Sequence, residues 1–350
     1  MRILQVNTEK TWRGGERQTL YTIESLISQG IDCQLMTLKG SLMHQRAVAM
    51  NVGVIAVENM IDALKKLSNL RGDFDVIHAQ TGKAHTQCVL TKIFHKTPVV
   101  YTRRVDFVPG GFSTRLKYKF TDKIVSISPI ISSILNQSRM SSDSPVISSA
   151  VKNKNLDIKR ALELKKSLGI QEGAQIIGLV SALEPHKDPV TALKTIHELQ
   201  KIRKDFVVLH FGNGVLFDQV SDTIKELNLD QLYFQMGHHE NVEDYFSIMN
   251  VFLMTSKEEG LGSSVLDAFN YEVRVVSTNA GGLKDLVKGR GFLCNIGDTK
   301  CLSQGLNLAL NSSKESTMHK ASAKEYCDNE MGVDLMASKY IDLYQGLVNG

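Results

Sequence analysis

The chain of 350 residues is 42% hydrophobic and 22% charged, and its 41 Lys and Arg against 37 Asp and Glu leave a formal net charge of +4. This length suits two domains that each bury a core, and the composition excludes a disordered or membrane-spanning chain. So small a net charge gives no reason to expect a nucleic-acid partner. The opening MRILQVN is too short an apolar run for a signal peptide, and no stretch approaches about 18 uninterrupted apolar residues, so a cytoplasmic protein is expected. Cys33, Cys88, Cys294, Cys301 and Cys327 are scattered without a C-x2-C pair or partnering histidines. Ordinary reduced thiols are therefore expected, with neither a disulfide framework nor a zinc site.

Short β-branched runs at 2–6, 33–38, 54–57, 76–79, 99–102 and 124–128 read as strands. Between several of them lie amphipathic segments such as 16–28, with Leu20, Ile23, Leu26 and Ile27 at helical spacing. This alternation predicts a parallel sheet covered by helices on both faces. The first strand runs into NTEKTWRGGERQ, where Gly14 and Gly15, between Arg13 and Arg17, open the first helix. Glycine there lets a phosphate approach the free amides of the helix start, although a turn requirement alone also explains the pair. The full G-x-G-x-x-G pattern of dinucleotide sites is missing. His78 and His85, at and after the fourth strand, are candidates for proton transfer, with hydrogen-bonded structural histidines as the alternative. Arg103 and Arg104 follow the fifth strand, where a guanidinium can hold a phosphate or an acidic acceptor bidentately. They belong to a segment, 91–140, with nine bases against two acids, interleaved with Tyr101, Phe107, Phe112, Tyr118 and Phe120. Such a segment suits an anionic lipid surface or a phosphorylated acceptor, or is a solvated charged face.

The pattern breaks at 140–155, rich in Ser, Asn and Lys, which reads as a linker. A second series of strands follows at 176–180, 206–211, 232–235, 251–254, 273–277 and 291–294. GLVSALEPHKDP carries Lys187, whose ammonium would stabilise a diphosphate at a strand end, unless it is a solvated surface lysine. LHFGNGVL, FQMGHHENVEDYF and STNAGGLKDLV supply glycine turns at Gly212, at Gly237 beside His238, and at Gly281 with Gly282. The most informative stretch is SKEEGLGSSVLDA, 256–268. If its helix begins near Gly262, Asp267 lies in the second turn and Glu259 ahead of the first, with the unbonded amides of Gly262, Ser263 and Ser264 between them. A sugar, a diphosphate and a ribose would fit that order, the phosphates at the positive helix end. A helix cap at Glu259 and a solvated acid at Asp267 would equally account for the pair alone. In the last segment Leu335, Tyr340, Leu343, Tyr344 and Leu347 line one helical face.

Taken together, these motifs resemble glycosyltransferase family 4, retaining enzymes of the GT-B fold, whose E-x7-E signature reads E-x7-D here because Asp267 stands at the second acid. The likeness is fullest over 178–298 and looser over the first domain. It implies an α/β GT-B fold of two Rossmann-like doubly wound domains, 1–155 on the acceptor side and 156–330 on the donor side, facing a central cleft, with 331–350 as a helix returning to the first. It further implies Glu259 at the donor sugar, Asp267 at the ribose, Lys187 with the Arg13, Gly14, Gly15 loop at the diphosphate, and Gly212 in a further glycine turn on the donor side. Backbone near Gly237 and His238 would meet the nucleobase. Family members often carry an arginine six positions before the lysine, here Ser181, and a histidine after the fifth strand, here TRRVD; His78 and His85 are then the histidine candidates, His78 first, and Arg103 and Arg104 face the acceptor. The implied reaction moves a sugar from a nucleotide-diphosphate donor to a glycan or glycolipid acceptor in lipopolysaccharide or other surface-glycan synthesis, at the inner face of the cytoplasmic membrane, with no metal or other cofactor. A nucleotide-sugar 2-epimerase on the same fold and a degenerate binding or scaffold protein are the rival readings.

Overall fold

A computed structural model describes residues 1–350. In chain order β1 (Arg2–Val6), α1 (Gly14–Ser28), β2 (Asp32–Leu38), α2 (Leu42–Ala49), β3 (Gly53–Val57), α3 (Met60–Ser68), β4 (Val76–Ala79), α4 (Gly82–His95), β5 (Val99–Arg103), α5 (Phe112–Lys119), β6 (Lys123–Ser126) and α6 (Pro129–Gln137) come first. There follow α7 (Ile158–Ser167), β7 (Gln175–Val180), α8 (Pro189–Leu199), β8 (Phe206–Phe211), α9 (Phe217–Glu226), β9 (Tyr233–Gly237), β10 (Val251–Met254), α10 (Ser263–Asn270), β11 (Arg274–Thr278), α11 (Leu283–Val287), β12 (Phe292–Cys294), α12 (Thr299–Leu310), α13 (Lys314–Glu330) and α14 (Val333–Asn349). All the expected strands form, and the chain divides into two compact units, 1–150 with 331–350, and 151–330.

In the first unit six parallel strands run in the order β3-β2-β1-β4-β5-β6. The central strands are buried on both faces, as in a doubly covered sheet. One face packs Leu20, Ile23 and Leu26 of α1 with Tyr340 and Tyr344 of α14, and the other packs Ala63 and Leu67 of α3 with Ala84 and Cys88 of α4. Asn59 and Thr81 start α3 and α4 by accepting amide hydrogens of the first turn. On α14 the inward positions fall to Met336, Ala337, Tyr340 and Tyr344, while Leu335 faces outward, one residue off the expected stripe. Nor is the Ser-rich stretch a free linker as far as Ala150. Ile147 N donates to Ser126 O at 3.0 Å, and the Gln18 amide grips both the carbonyl and the N–H of Ala150 at 2.7 and 2.9 Å.

The second unit repeats the plan, with strand order β12-β11-β10-β7-β8-β9. Its core joins β7, β8 and β10 to α8, α9 and α12 through residues such as Ile177, Leu193, Val208, Val220, Val251 and Leu306. The cysteine expectation is corrected here. Cys294 ends β12 and Cys301 lies in the first turn of α12; the strand turns straight back into the helix, bringing their Cα atoms to 5.8 Å, and the two are joined as a disulfide. Cys33, Cys88 and Cys327 are free and buried. No helix is long and apolar enough to cross a membrane.

Candidate functional site

Open parallel sheets bind ligands at the carboxyl ends of their strands, where the strand order reverses. In the second unit that point lies between β7 and β10, which pair at Ile177 with Val251 and at Gly178 with Phe252. The loop after β7 carries Lys187 and the loop after β10 carries Glu259. Their side chains meet as an ion pair, 18% and 15% exposed. Hydrogen bonds to main-chain carbonyls hold the two loops together: Lys257 N donates to His186 O at 2.8 Å, and Thr255 Oγ1 to Asp188 O at 3.0 Å. Asp188 also caps α8, accepting from Thr191 N at 3.3 Å and from Thr191 Oγ1 at 2.7 Å, and pairs with the Lys257 ammonium at 3.1 Å. A third loop joins where Gly282 N donates to Glu259 O at 2.7 Å.

α10 begins as the sequence predicts. Its cap, Gly262, has φ 95°, and a Cβ there would lie 2.5 Å from Leu283 Cδ2, so only glycine fits. The amides of Gly262, Ser263 and Ser264 lie ahead of the first intrahelical partners and stay available to an anion. Asp267 is in the second turn but is only 7% exposed. It is not a solvated acid, and its charge is felt by the Cys327 thiol of α13, which burial above all pushes up to about 12. The two carboxylates therefore sit in unlike surroundings, Glu259 against an ammonium and Asp267 enclosed.

Gly212 has φ 145°, and a Cβ would fall 1.9 Å from Ser181 O. Its N–H donates to Gly237 O at 2.7 Å, which ties the two glycine turns together, and His238 beside it is exposed. Sequence reasoning missed the aromatic group beside it. The Phe211 and Tyr245 rings stack at 4.7 Å, His239 Nδ1 lies 2.9 Å from the Tyr245 hydroxyl, and the Arg160 guanidinium covers Tyr245 at 5.3 Å. The clustering of His239 and Tyr245 in FQMGHHENVEDYF was the available signal. Ser181 is likewise engaged, its Oγ 3.1 Å from His210 Nε2, while His210 Nδ1 meets the Tyr233 hydroxyl at 2.7 Å. Burial lowers the His210 pKa to about 4, so Ser181 faces a neutral ring.

In the first unit Gly14 and Gly15 open α1, and Arg13 N donates to Glu16 Oε2 at 2.9 Å. The Arg13 side chain is exposed. Arg104 packs against this helix start, its Cδ 3.5 Å from where a Gly15 Cβ would be, and Gln80 Oε1 holds its Nη2 at 2.6 Å. Arg103 faces elsewhere. It is 3% exposed and donates to the Tyr118 hydroxyl at 2.6 Å and to Phe107 O, with its guanidinium 5.0 Å from the Phe107 ring. Arg103 and Arg104 therefore do not form one acceptor clamp, and Arg103 is spent inside the fold. His78 is corrected too: it is fully buried, with Nδ1 2.6 Å from the Tyr344 hydroxyl and Nε2 2.8 Å from Thr102 Oγ1. Burial and the nearby Arg104 charge lower its pKa to about 3. His85, stacked on Tyr101 at 4.0 Å and bonded to Thr121 Oγ1 at 2.6 Å, is equally enclosed. Both are structural histidines.

Known proteins resemble this arrangement. Over 191 residues the chain is 25% identical to N-acetyl-alpha-D-glucosaminyl L-malate synthase of Bacillus anthracis, covering 52% of this chain and 48% of that protein. Over 160 residues it is 28% identical to an alpha-1,4-N-acetyl-D-galactosaminyltransferase of Campylobacter jejuni acting on an undecaprenol-diphosphate glycan, covering 45% and 44%. The chain thus spans about half the length of these curated relatives. Among solved structures, Anabaena HepE in complex with UDP and glucose superposes with a TM-score of 0.86 at 16% identity, covering 99% of this chain and 100% of that one. A glycosyltransferase from Rickettsia africae gives 0.86 at 17%, covering 100% and 99%. The fold is the two-domain α/β GT-B fold of glycosyltransferases, and within it residues 161–326 match the family model described as Glycosyl transferases group 1.

Proposed function

We propose that the chain is a retaining glycosyltransferase of family 4 that moves a sugar from a nucleotide-diphosphate donor to a glycan or glycolipid acceptor. The observation that carries this reading is the Lys187–Glu259 pair at the reversal point of the second sheet, beside the open N-terminus of α10. Donor binding replaces that pair: the diphosphate takes the Lys187 ammonium and the α10 amides, and Glu259 is released to accept from sugar hydroxyls. As the glycosidic bond breaks, negative charge grows on the leaving phosphate, where a fixed ammonium and helix amides stabilise it most. That phosphate accepts the proton of the acceptor hydroxyl attacking from the same face, so no protein base is required, in keeping with the enclosed His78. Asp267 is assigned to the ribose, the backbone near Gly237 and His238 to the nucleobase, and the Gly14, Gly15 amides and Arg13 form the first unit's own anion-facing helix start. Lys187 and these amides supply the positive charge the reading needs, without a metal or other cofactor.

The relatives named above are a synthase and a transferase of amino sugars, and the HepE complex holds UDP; UDP-sugars are therefore the first donors to try, and a lipid-linked glycan at the cytoplasmic face of a membrane the first acceptor. A role in lipopolysaccharide or another surface glycan accords with partial similarity to the mannosyltransferase LpsB of Rhizobium meliloti, 24% identical over 132 residues. The test is a thermal-shift screen with UDP-, GDP- and ADP-sugars, followed by transfer assays and assignment of the product anomer by NMR. A nucleotide sugar that binds the folded state raises its melting temperature. No shift with any of them would remove the donor assignment, release of a free isomer without acceptor would favour the epimerase, and an inverted anomer would overturn retention.

A further inference from the structure

The first unit leaves an unusual amount of apolar side chain uncovered in one region. Phe112, Leu116 and Phe120 lie at i, i+4 and i+8 along α5 and its cap, on one face, while Tyr118 turns inward. Phe112 is 82% exposed, and in the loop before it Phe107 and Val108 are 63% and 70% exposed. On α4, Leu90, Ile93 and Phe94 are also exposed. Lys92 Nζ donates to Phe120 O at 3.0 Å and Lys117 Nζ to Thr86 Oγ1 at 3.2 Å, so α4 and α5 touch through their lysine side chains. The loop is anchored from within, because the buried Arg103 ties Phe107 O and the Tyr118 hydroxyl to β5. Large apolar groups held outward by an anchored backbone mark an interaction surface rather than scattered surface residues.

The charge beside it is mainly basic, with Asp106 the acid next to Phe107. Asp122 and Asp143 are taken by Lys92 and Lys123, which leaves Arg115, Lys119 and Arg139 without a carboxylate partner around an open hollow of about 750 Å³. Aromatic and aliphatic side chains bordered by unpaired bases are the chemistry of a helix lying in a lipid interface. A second copy of this surface would set like charges against each other.

We infer that this face docks on an anionic lipid bilayer, with Phe107, Val108, Phe112 and Leu116 entering the acyl boundary and Arg115, Lys119 and Arg139 meeting headgroup phosphates. The inference rests on the reading of the basic segment as membrane-facing and adds the apolar residues that insert. The full chain is sedimented with vesicles of phosphatidylcholine alone and with added phosphatidylglycerol, at low and high salt. Wild type binds the anionic vesicles, and a Phe112→Ser, Leu116→Ser variant of unchanged melting temperature binds about a hundredfold less, since each of the two apolar side chains withdrawn from water contributes about tenfold. An Arg115→Gln, Lys119→Gln variant loses mainly the salt-sensitive part. Fluorescence of a Phe112→Trp variant is quenched by brominated lipid, whereas that of Trp12 in the wild type is not. If wild type binds but the serine variant binds equally and the new tryptophan is unquenched, the insertion is overturned while the electrostatic reading stands. If wild type ignores anionic vesicles at low salt, the electrostatic reading falls and the insertion with it. A concentration-dependent dimer abolished by the serine substitutions, without vesicle binding, would assign the face to a second copy and overturn the inference.

Discussion

Burial lowers the pKa of the four buried histidines, His78, His85, His95 and His210, and this sets how the protein's stability responds to acid. Burial, with the nearby Arg104 charge, lowers the His78 pKa to about 3; burial, with Lys117 and Arg103 nearby, lowers that of His85 to about 2. Both belong to the first unit. Above the unfolded value of about 6.5 each histidine is neutral in both states and stability is full; as pH falls from there toward the folded value only the unfolded chain takes up the proton, so stability is lost. At pH 5.5 the loss is about 1.4 kcal/mol for each of His78 and His85, or about 3 kcal/mol for the two together. For a domain of this size that lowers the melting temperature by about 6–12 °C between pH 7.5 and 5.5. Glu16, whose pKa burial raises, works in the opposite direction, so the comparison that isolates one histidine is a His78→Gln variant followed by calorimetry over the same interval. Its melting temperature should fall by about 3–6 °C less than that of wild type. An identical pH dependence in the two proteins, or a His78 ring titrating near 6.5 by NMR, would refute the argument.

Lys187→Ala should lower kcat/KM by about 10²-fold, the scale of losing one fixed charge at a developing anion, and weaken nucleoside-diphosphate binding with the melting temperature little changed; unaltered donor kinetics would remove Lys187 from the diphosphate. Gly212→Ala places a Cβ 1.9 Å from Ser181 O at φ 145° and is expected to cost about 2 kcal/mol or more in urea unfolding; a neutral effect would mean the turn relaxes freely. Cys301→Ser should cost about 2.5 kcal/mol by the closure entropy of so short a loop, and nothing once wild type is measured in reductant; equal stability of the two proteins without reductant would mean that the Cys294–Cys301 bond makes no net contribution.

The strands and helices were legible because their signals are local. Alternating β-branched runs and helical spacing recur through both halves, and Gly262, Gly212 and the Gly14–Gly15 pair occur where a chain must turn tightly into a helix or past another loop. The nearness of Lys187 and Glu259 was only half legible, since residues 72 positions apart meet solely because β7 and β10 are neighbours at the reversal of the sheet. The errors share one cause, which is that a polar residue type does not state where its side chain finds partners. His78 looked like a strand-end catalyst until α14 brought Tyr344 onto its ring. Arg103 looked like an anion clamp until Tyr118 and the Phe107 carbonyl claimed it. Two cysteines seven residues apart gave no sign of pairing until the turn from β12 into α12 brought them together. Periodicity and turn chemistry act between near neighbours and are written along the chain, whereas burial, charge pairing and the protonation state of a histidine depend on groups that only the packed sheet and helices assemble.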